Sequence, residues 1–258
     1  GYKREYLFGE KMVHLLGNIV QQKSGVELKY NFQLQTLEME TFQRLKKITL
    51  DDELIGNNVI LTIDSELQKF VFDQLGNKKG AIVVLEPSTG KILAMVSYPN
   101  YDPNNIEEIW NTISIDELNA PLVNRATSGK YPPGSVFKLV SAIAIMKSDL
   151  DYANYYYECT GEDTFEDTKI KCFNHNAHGS VNLEKAITLS CNTYFAHMST
   201  KMDNDKFKSI AEDLYFNKSY DFPLESSKSS FVLNNFSSVA ETIQTSIGQG
   251  KTLMTPLH

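Results

Sequence analysis

Residues 135–147 have the sequence SVFKLVSAIAIMK, and this stretch decides the fold. It predicts a helix from about Ser135 to Lys147 with apolar residues on every side, and such a helix is normally buried all round. Ser135 lies in the first turn and Lys138 one turn later, so both side chains share a face. We therefore expect a buried helix with a serine at its N-terminus and a lysine inside the domain.

The pair Ser135 and Lys138 suits nucleophilic catalysis. Full burial lowers the pKa of a lysine by about 3–5 units, and a neutral amine can activate a serine hydroxyl. The N–H groups at a helix N-terminus can also stabilise a developing oxyanion. A simpler alternative stays open, because the tetrad Ser-x-x-Lys is common: Lys138 could extend to solvent while Ser135 only caps the helix.

The rest of the chain predicts an α+β domain with a central antiparallel sheet and flanking helices. The apolar run Ala81–Leu85 predicts a buried strand, and the turn residues from Glu86 to Lys91 make Ile92–Ser97 the returning strand of a hairpin. We expect 102–134 to be mostly irregular and 155–179 to form a loop or hairpin. Predicted helices start at Asp64 or Ser65, at Asn182 and at Thr193. We expect residues 1–55 to form a small, extended N-terminal appendage and 56–258 the main domain.

Composition excludes several functional classes. The 258-residue chain has 25 basic and 32 acidic residues, a net charge of −7, and so offers no broad basic surface for nucleic acid. It also contains no apolar run of eighteen or more residues. A membrane anchor, if the natural protein has one, is expected outside this sequence.

Four segments together resemble one known family. Asn124–Lys138, which includes YPPGSVFK, is similar to the active-site segment of class B penicillin-binding proteins. Ser190-Cys191-Asn192 resembles the family's Ser-x-Asn motif, Gly80–Asn100 its opening hairpin, and Ile247–Leu257 the usual lead-in to its third motif. His178-Gly179 is similar to the elongation-type, penicillin-binding protein 2-like branch.

The resemblance implies a transpeptidase domain with the fold shared by penicillin-binding proteins and serine β-lactamases. It implies Ser135 as the acylated nucleophile and Lys138 as its base, with Ser190 relaying protons and Asn192 holding the substrate amide. The implied partners are peptidoglycan stem peptides, β-lactams and a membrane glycosyltransferase, and the implied location is the outer face of the bacterial cytoplasmic membrane. No organic cofactor is expected.

The third family motif, Lys-Thr/Ser-Gly on an edge strand, is not found. Lys251-Thr252 is followed by leucine and lies inside the lead-in. We therefore expect the domain to be incomplete at the C-terminus of this chain, with the missing strands elsewhere in the polypeptide.

A second set of residues has metal-ligand character. Cys159, Cys172, His178 and Cys191 follow the pattern C-x12-C-x5-H-x12-C. Three thiolates and one imidazole form a closed tetrahedral set of the kind that holds structural zinc. Two alternatives stay open: a Cys159–Cys172 disulfide, or three free thiols. His175 is a possible substitute ligand.

Two other functions remain possible at this stage. A class D-like β-lactamase or β-lactam sensor also carries a Ser-x-x-Lys helix. A non-catalytic scaffold could keep the same fold and recruit cell-wall proteins. Release of hydrolysed penicillin would favour the first alternative, and failure of Ser135 to acylate would favour the second.

Overall fold

The computed structural model describes residues 4–35, 56–148 and 150–258. The described residues form two compact units. Unit 1 takes in those within Gly1–Gly129, Asp221–Ser226 and Leu257, and unit 2 takes in those within Lys130–Tyr220, Ser227–Pro256 and His258. None of the described helices is long and apolar enough to span a membrane.

Unit 1 contains a β-hairpin and several helices. Its elements are a 3₁₀ turn at Gly9–Lys11, α1 (Val13–Leu16), α2 (Gly25–Lys29), α3 (Asn31–Leu34), α4 (Ser65–Leu75), β1 (Gly80–Glu86), β2 (Lys91–Tyr98), a 3₁₀ turn at Pro103–Asn105 and α5 (Ile106–Ile113).

The hairpin and α4 confirm the predictions for this region. Strands β1 and β2 pair antiparallel, with Val83 opposite Met95. Asp64 caps α4 by accepting hydrogen bonds from two backbone N–H groups. The buried Gln68 of α4 donates to Met95 O at 2.9 Å and accepts from Met95 N at 2.8 Å, so its amide satisfies the backbone of β2.

Unit 2 carries the residues singled out above. Its elements are a 3₁₀ turn at Gly134–Phe137, α6 (Lys138–Lys147), β3 (Tyr157–Cys159), β4 (Glu162–Phe165), β5 (Thr168–Lys171), a 3₁₀ turn at Phe173–His175, β6 (Gly179–Val181), α7 (Leu183–Thr188), α8 (Asn192–Ser199), α9 (Asn204–Asp213) and α10 (Val239–Ser246).

The described strands form three antiparallel two-stranded sheets, β1-β2, β3-β6 and β4-β5. The α+β class is therefore confirmed, although the strands do not join into one larger sheet within the described ranges. In unit 2, β4 and β5 lie between β3 and β6 in the chain, so a small double hairpin carries Cys159 at the end of one strand and Cys172 directly after another.

The prediction that the serine-bearing helix is buried all round is wrong for the described residues. Its first turn is 3₁₀, and Ala144 and Ile145 in α6 are buried. One stripe stays exposed and comprises Val136 (63%), Leu139 (55%), Ile143 (36%) and Met146 (53%). Their alternating spacing of three and four residues places them on a single face, which the described elements leave uncovered.

Two further expectations need correction. The stretch predicted as mostly irregular, 102–134, contains a helix at Ile106–Ile113, and Asp102 caps the turn that leads into it. Residues 4–35 contain short helices, whereas an extended appendage was predicted. The predicted division into 1–55 and 56–258 stays a prediction, since its boundary at 36–55 lies outside the described residues.

Candidate active site

The segment that precedes α6 positions Ser135. Gly134 has a positive φ of 60°, a conformation that glycine adopts readily, and its N–H donates to Gly248 O at 2.9 Å. One turn into α6, the buried Ser141 hydroxyl donates to Ser246 O at 2.7 Å. The end of α10 and the residues after it therefore hold the N-terminal half of the Ser135 helix by two hydrogen bonds.

Gly248 approaches this segment so closely that no side chain fits. A Cβ placed on it would lie 1.9 Å from Gly134 O and 2.7 Å from Gly134 C. Its φ is also positive, at 75°. The backbone of Gly248 thus lies directly against the residue that precedes Ser135.

Ser190 lies in the short connection between α7 and α8. Its φ of 51° is in the left-handed region, which is uncommon for a residue with a side chain and is often found at functional sites. The next residue, Cys191, is fully buried and donates its N–H to Ala186 O at 2.8 Å. The buried cysteine therefore secures a connection in which the Ser190 side chain stays exposed.

The structure brings together all four residues proposed for catalysis. Lys138 Nζ lies 3.3 Å from Ser135 Oγ and 2.9 Å from Ser190 Oγ. It also donates to Ser190 O at 2.7 Å and to Asn192 Oδ1. The hydroxyls of Ser190 and Ser135 are 3.0 Å apart. Every member of the group is thus within hydrogen-bonding distance of another member.

The hydrogen-bond partners determine where the lone pair of a neutral Lys138 points. Ser190 O and Asn192 Oδ1 can only accept, so they take both N–H bonds of a neutral amine. Asn192 is held in this orientation because its Nδ2 donates to Lys171 O at 2.8 Å. The remaining lone pair is left for the two serine hydroxyls, which are the only neighbouring groups in this set that can donate to it.

Burial favours the neutral amine. Lys138 is only 3% exposed, and desolvation lowers the pKa of its ammonium from 10.5 to about 8, against a weaker opposing effect of Cys172 and Cys191. The neutral amine is therefore a minor but accessible form near neutral pH, and its share rises as the pH approaches 8. Ser135, in contrast, is exposed and accessible to a substrate.

Beside this group, Cys159, Cys172, His178 and Cys191 place their ligand atoms within 4.8 Å of one another. Cys172 Sγ lies 3.8 Å from Cys159 Sγ and 3.9 Å from Cys191 Sγ, and His178 Nδ1 lies 3.4 Å from Cys159 Sγ. In a tetrahedral zinc site with Zn–S bonds of about 2.3 Å, neighbouring sulfurs are about 3.8 Å apart. The donor set therefore fits a zinc ion.

The disulfide alternative does not match this arrangement. All three cysteines are free and buried, and 3.8 Å between Cys159 and Cys172 is well beyond a disulfide bond of about 2.05 Å. A hydrogen bond from the Cys191 thiol lowers the pKa of Cys172, and the same contact raises the pKa of Cys191. The contact therefore favours the thiolate form of Cys172, which is the form that binds metals.

Three other candidates lie outside these groups. His175 Nδ1 is 3.3 Å from Glu162 Oε2 and does not join the ligand set, so the substitute ligand is not needed. Lys251 is 73% exposed and pairs with Glu241 at 2.7 Å, as expected for a residue outside the third motif. Lys23-Ser24-Gly25, which sequence reasoning overlooked, has the letters of that motif; Ser24 is the N-cap of α2 and Gly25 its first residue, so this segment is not on a strand.

Sequence reasoning missed three positioning groups. Lys171 contributes only its backbone carbonyl, and Gly248 contributes only close backbone approach, so neither leaves a side-chain signal. Thr193 lies against the sulfurs and could have been suspected from its position directly after Cys191 and Asn192. The structure was needed to show each of these contacts.

Comparison with known proteins agrees with this geometry. The family model "Penicillin binding protein transpeptidase domain" matches residues 80–258. The peptidoglycan D,D-transpeptidase MrdA of Acinetobacter baumannii is 31% identical over 266 residues, covering 95% of this chain and 39% of the relative. The crystal structure of PBPA from Mycobacterium tuberculosis superposes with a TM-score of 0.88 at 27% identity, covering 98% of this chain and 62% of the other. A penicillin G acyl-enzyme complex of that protein gives a TM-score of 0.86 at 27% identity, over 98% of this chain and 62% of the other.

The chain therefore belongs to the transpeptidase-domain family of penicillin-binding proteins. The resemblance to the elongation-type class B branch is confirmed, since relatives of the MrdA type match across most of the chain. The chain spans about 39% of the length of that curated relative.

Proposed function

We propose that the protein to which this chain belongs is a peptidoglycan D,D-transpeptidase, a serine-type acyl-transferase that cross-links stem peptides. The observation that carries the proposal is the group of Ser135, Lys138, Ser190 and Asn192, in which Lys138 Nζ lies 3.3 Å from the nucleophile hydroxyl and is itself buried. Membership of the family and the names of the relatives support the same reaction.

In the first step, Ser135 Oγ attacks the carbonyl carbon of the penultimate D-Ala. Its proton passes to the lone pair of the neutral Lys138 amine. That lone pair points at the hydroxyls of Ser135 and Ser190, because the two N–H bonds of the amine are donated to Ser190 O and Asn192 Oδ1. The tetrahedral intermediate then expels the terminal D-Ala. Ser190 relays the proton from Lys138 to the leaving amine. Its hydroxyl suits this role because it lies 2.9 Å from Lys138 Nζ and 3.0 Å from Ser135 Oγ, which in the intermediate is bonded to the carbon that the amine leaves. The product of this step is an ester of Ser135.

In the second step, an amine from another strand attacks the ester carbonyl. Its proton returns through Ser190 and Lys138 to Ser135 Oγ as the ester bond breaks, which restores the free enzyme. Asn192 keeps a second lone pair on Oδ1, because an amide oxygen can accept two hydrogen bonds. That lone pair is the acceptor we assign to an N–H of the stem peptide.

The test is a turnover assay on the full-length, detergent-solubilised protein with pentapeptide-bearing peptidoglycan strands. Release of D-Ala together with cross-linked dimers is the expected result. Rapid hydrolysis of penicillin without cross-linking would instead identify a β-lactamase. A protein that forms no acyl-enzyme with either substrate would support a non-catalytic scaffold.

We also propose that Cys159, Cys172, His178 and Cys191 hold one structural zinc ion. A closed set of four protein ligands leaves no open position for substrate, so the ion would supply rigidity rather than chemistry. Cys191 lies between Ser190 and Asn192, and Cys172 follows Lys171, whose carbonyl orients Asn192. The ligands therefore anchor the segment that contacts the amine of Lys138 and the segment that orients Asn192.

Removing the metal should lower the melting temperature and slow acylation by penicillin, because binding of a structural metal is coupled to folding. His178→Ala should lose zinc on elemental analysis. His175→Ala is the matched control in the same loop and should retain it, because His175 pairs with Glu162. Full zinc retention by the His178→Ala protein would contradict the proposed ligand set. Wild-type protein that contains no metal and carries a Cys159–Cys172 disulfide would show that the disulfide alternative is correct instead.

The remaining features of the whole protein are proposed on the family resemblance. We propose that residues 56–258 form part of its transpeptidase domain and that 1–55 belong to the preceding appendage. We place the protein on the outer face of the cytoplasmic membrane, anchored by an N-terminal segment, with a membrane glycosyltransferase as partner. β-Lactams would acylate Ser135, as the penicillin G acyl-enzyme complex of the mycobacterial relative supports.

A further inference from the structure

Thr193 is a buried hydroxyl surrounded by the sulfurs of the proposed metal site. It lies in the first turn of α8, directly after Asn192, and has 0% exposure. Its Oγ1 lies 3.2 Å from Cys159 Sγ, 3.4 Å from Cys191 Sγ and 3.7 Å from Cys172 Sγ. One hydroxyl thus contacts all three sulfur ligands.

The hydroxyl has one proton to donate, and the surrounding groups decide its direction. Thiolate sulfur can only accept a hydrogen bond, and it keeps lone pairs when it binds a metal. The Tyr157 hydroxyl also faces Thr193, but its own proton is directed to Asp163 Oδ2, so Tyr157 can only accept as well. Charged acceptors form the stronger hydrogen bond, so the proton of Thr193 goes to sulfur.

We propose that Thr193 is the positioning residue of this metal centre, donating its hydroxyl proton to the thiolates and thereby raising their affinity for zinc. The inference rests on the zinc site proposed above and extends it beyond the four ligands. Because Thr193 directly follows Asn192, the same hydrogen bond ties the first turn of α8 to the sulfurs. Outer partners of this kind typically change metal affinity by about 10–100-fold.

Thr193→Val tests the hydrogen bond with little change of shape, and Thr193→Ser retains the hydroxyl. The full-length protein is purified with zinc, and zinc affinity is measured by competition with a chromogenic chelator. We expect Thr193→Val to bind zinc about 10–100-fold more weakly and Thr193→Ser to stay within a few-fold of wild type. Thr188→Val is the matched control, since that exposed hydroxyl bonds Glu184 O and touches no sulfur.

A cobalt-substituted protein provides a second readout that does not depend on catalysis. Its sulfur-to-cobalt charge-transfer bands should shift in Thr193→Val and stay unchanged in Thr193→Ser and Thr188→Val. If Thr193→Val does not fold, Thr193→Ser is compared with Thr193→Ala in the same two measurements. Both variants lack the methyl group of threonine and only the alanine lacks the hydroxyl, so the difference between them reports the hydrogen bond.

The outcomes separate the inference from the site on which it rests. Wild-type protein that binds no zinc would overturn the metal site and this inference with it. Wild-type protein that binds zinc, with Thr193→Val equal to it in affinity and cobalt spectrum, would overturn the role of Thr193 and leave the site intact. Weaker binding in Thr193→Val, restored in Thr193→Ser, is the supporting result.

Discussion

Gly248→Ala should slow acylation of Ser135 although Gly248 takes no part in the chemistry. The added Cβ would lie 1.9 Å from Gly134 O, whereas real Cβ contacts essentially never fall below 3.0 Å. Gly134 and Gly248 must therefore separate by about 1 Å or more, and the hydrogen bond from Gly134 N to Gly248 O must lengthen. Because Ser135 follows Gly134 directly, its hydroxyl moves with this backbone.

The expected loss follows from that displacement. Misplacing a reacting group by about 1 Å can slow a reaction by about 10²-fold, so we expect acylation by penicillin to fall by roughly that factor. The positive φ of Gly248, 75°, adds about 1–2 kcal/mol of backbone strain for alanine. That strain should lower the melting temperature of the full-length protein without unfolding it.

Gly250→Ala separates the two effects. Gly250 has nearly the same φ, 77°, but its nearest neighbour is the flexible side-chain oxygen of Gln244 at 3.3 Å. It should therefore share the strain and keep the acylation rate, measured by stopped-flow with a fluorescent penicillin. Equal rates for Gly248→Ala and wild type, or equal losses for both variants, would refute the positioning argument.

Three other predictions concern the amine. The acylation rate should rise with pH through about 8 and then level off, since burial lowers the pKa of Lys138 to about 8 and only the neutral amine can accept the proton of Ser135; a rate that is flat from pH 6 to 10 would contradict this. Lys138→Ala should slow acylation by about 10²–10⁴-fold while leaving the circular dichroism spectrum unchanged, as expected for a general base. Asn192→Asp should move the midpoint of the pH profile upward, because a carboxylate beside Lys138 favours the ammonium form; Asn182→Asp, at the exposed N-cap of α7, should leave the profile in place.

Local patterns made much of this fold predictable. The hairpin follows from the apolar run Ala81–Leu85 and from the turn residues between Glu86 and Lys91, and α4 follows from Asp64 at its start. The helix Ile106–Ile113 was not predicted, because the nearby prolines suggested irregular structure. Pro103 in fact lies in the turn that precedes this helix, where proline is compatible with a helix start. Burial of α6 was overestimated because a sequence pattern shows which faces are apolar but not which faces are covered.

The candidate site was predictable in its side chains but not in its supports. Ser135, Lys138, Ser190 and Asn192 carry motif signals, and the cysteines and His178 have a ligand-like spacing. The carbonyl of Lys171 is a backbone atom that any residue would supply, so it leaves no sequence signal. Gly248 is a specific requirement, but its reason, the backbone of Gly134 directly beside it, is set by tertiary geometry. Such contacts depend on tertiary geometry, and only a structure reveals them.

The central claim is that Ser135 is the nucleophile of an acyl-transferase. Intact-mass measurement of the full-length protein after incubation with penicillin G tests it most directly, followed by peptide mapping of the adduct. We predict one adduct with the full mass of the drug, located on Ser135 and absent from Ser135→Ala. An adduct that persists in that variant, or maps to Ser190, would contradict the assignment.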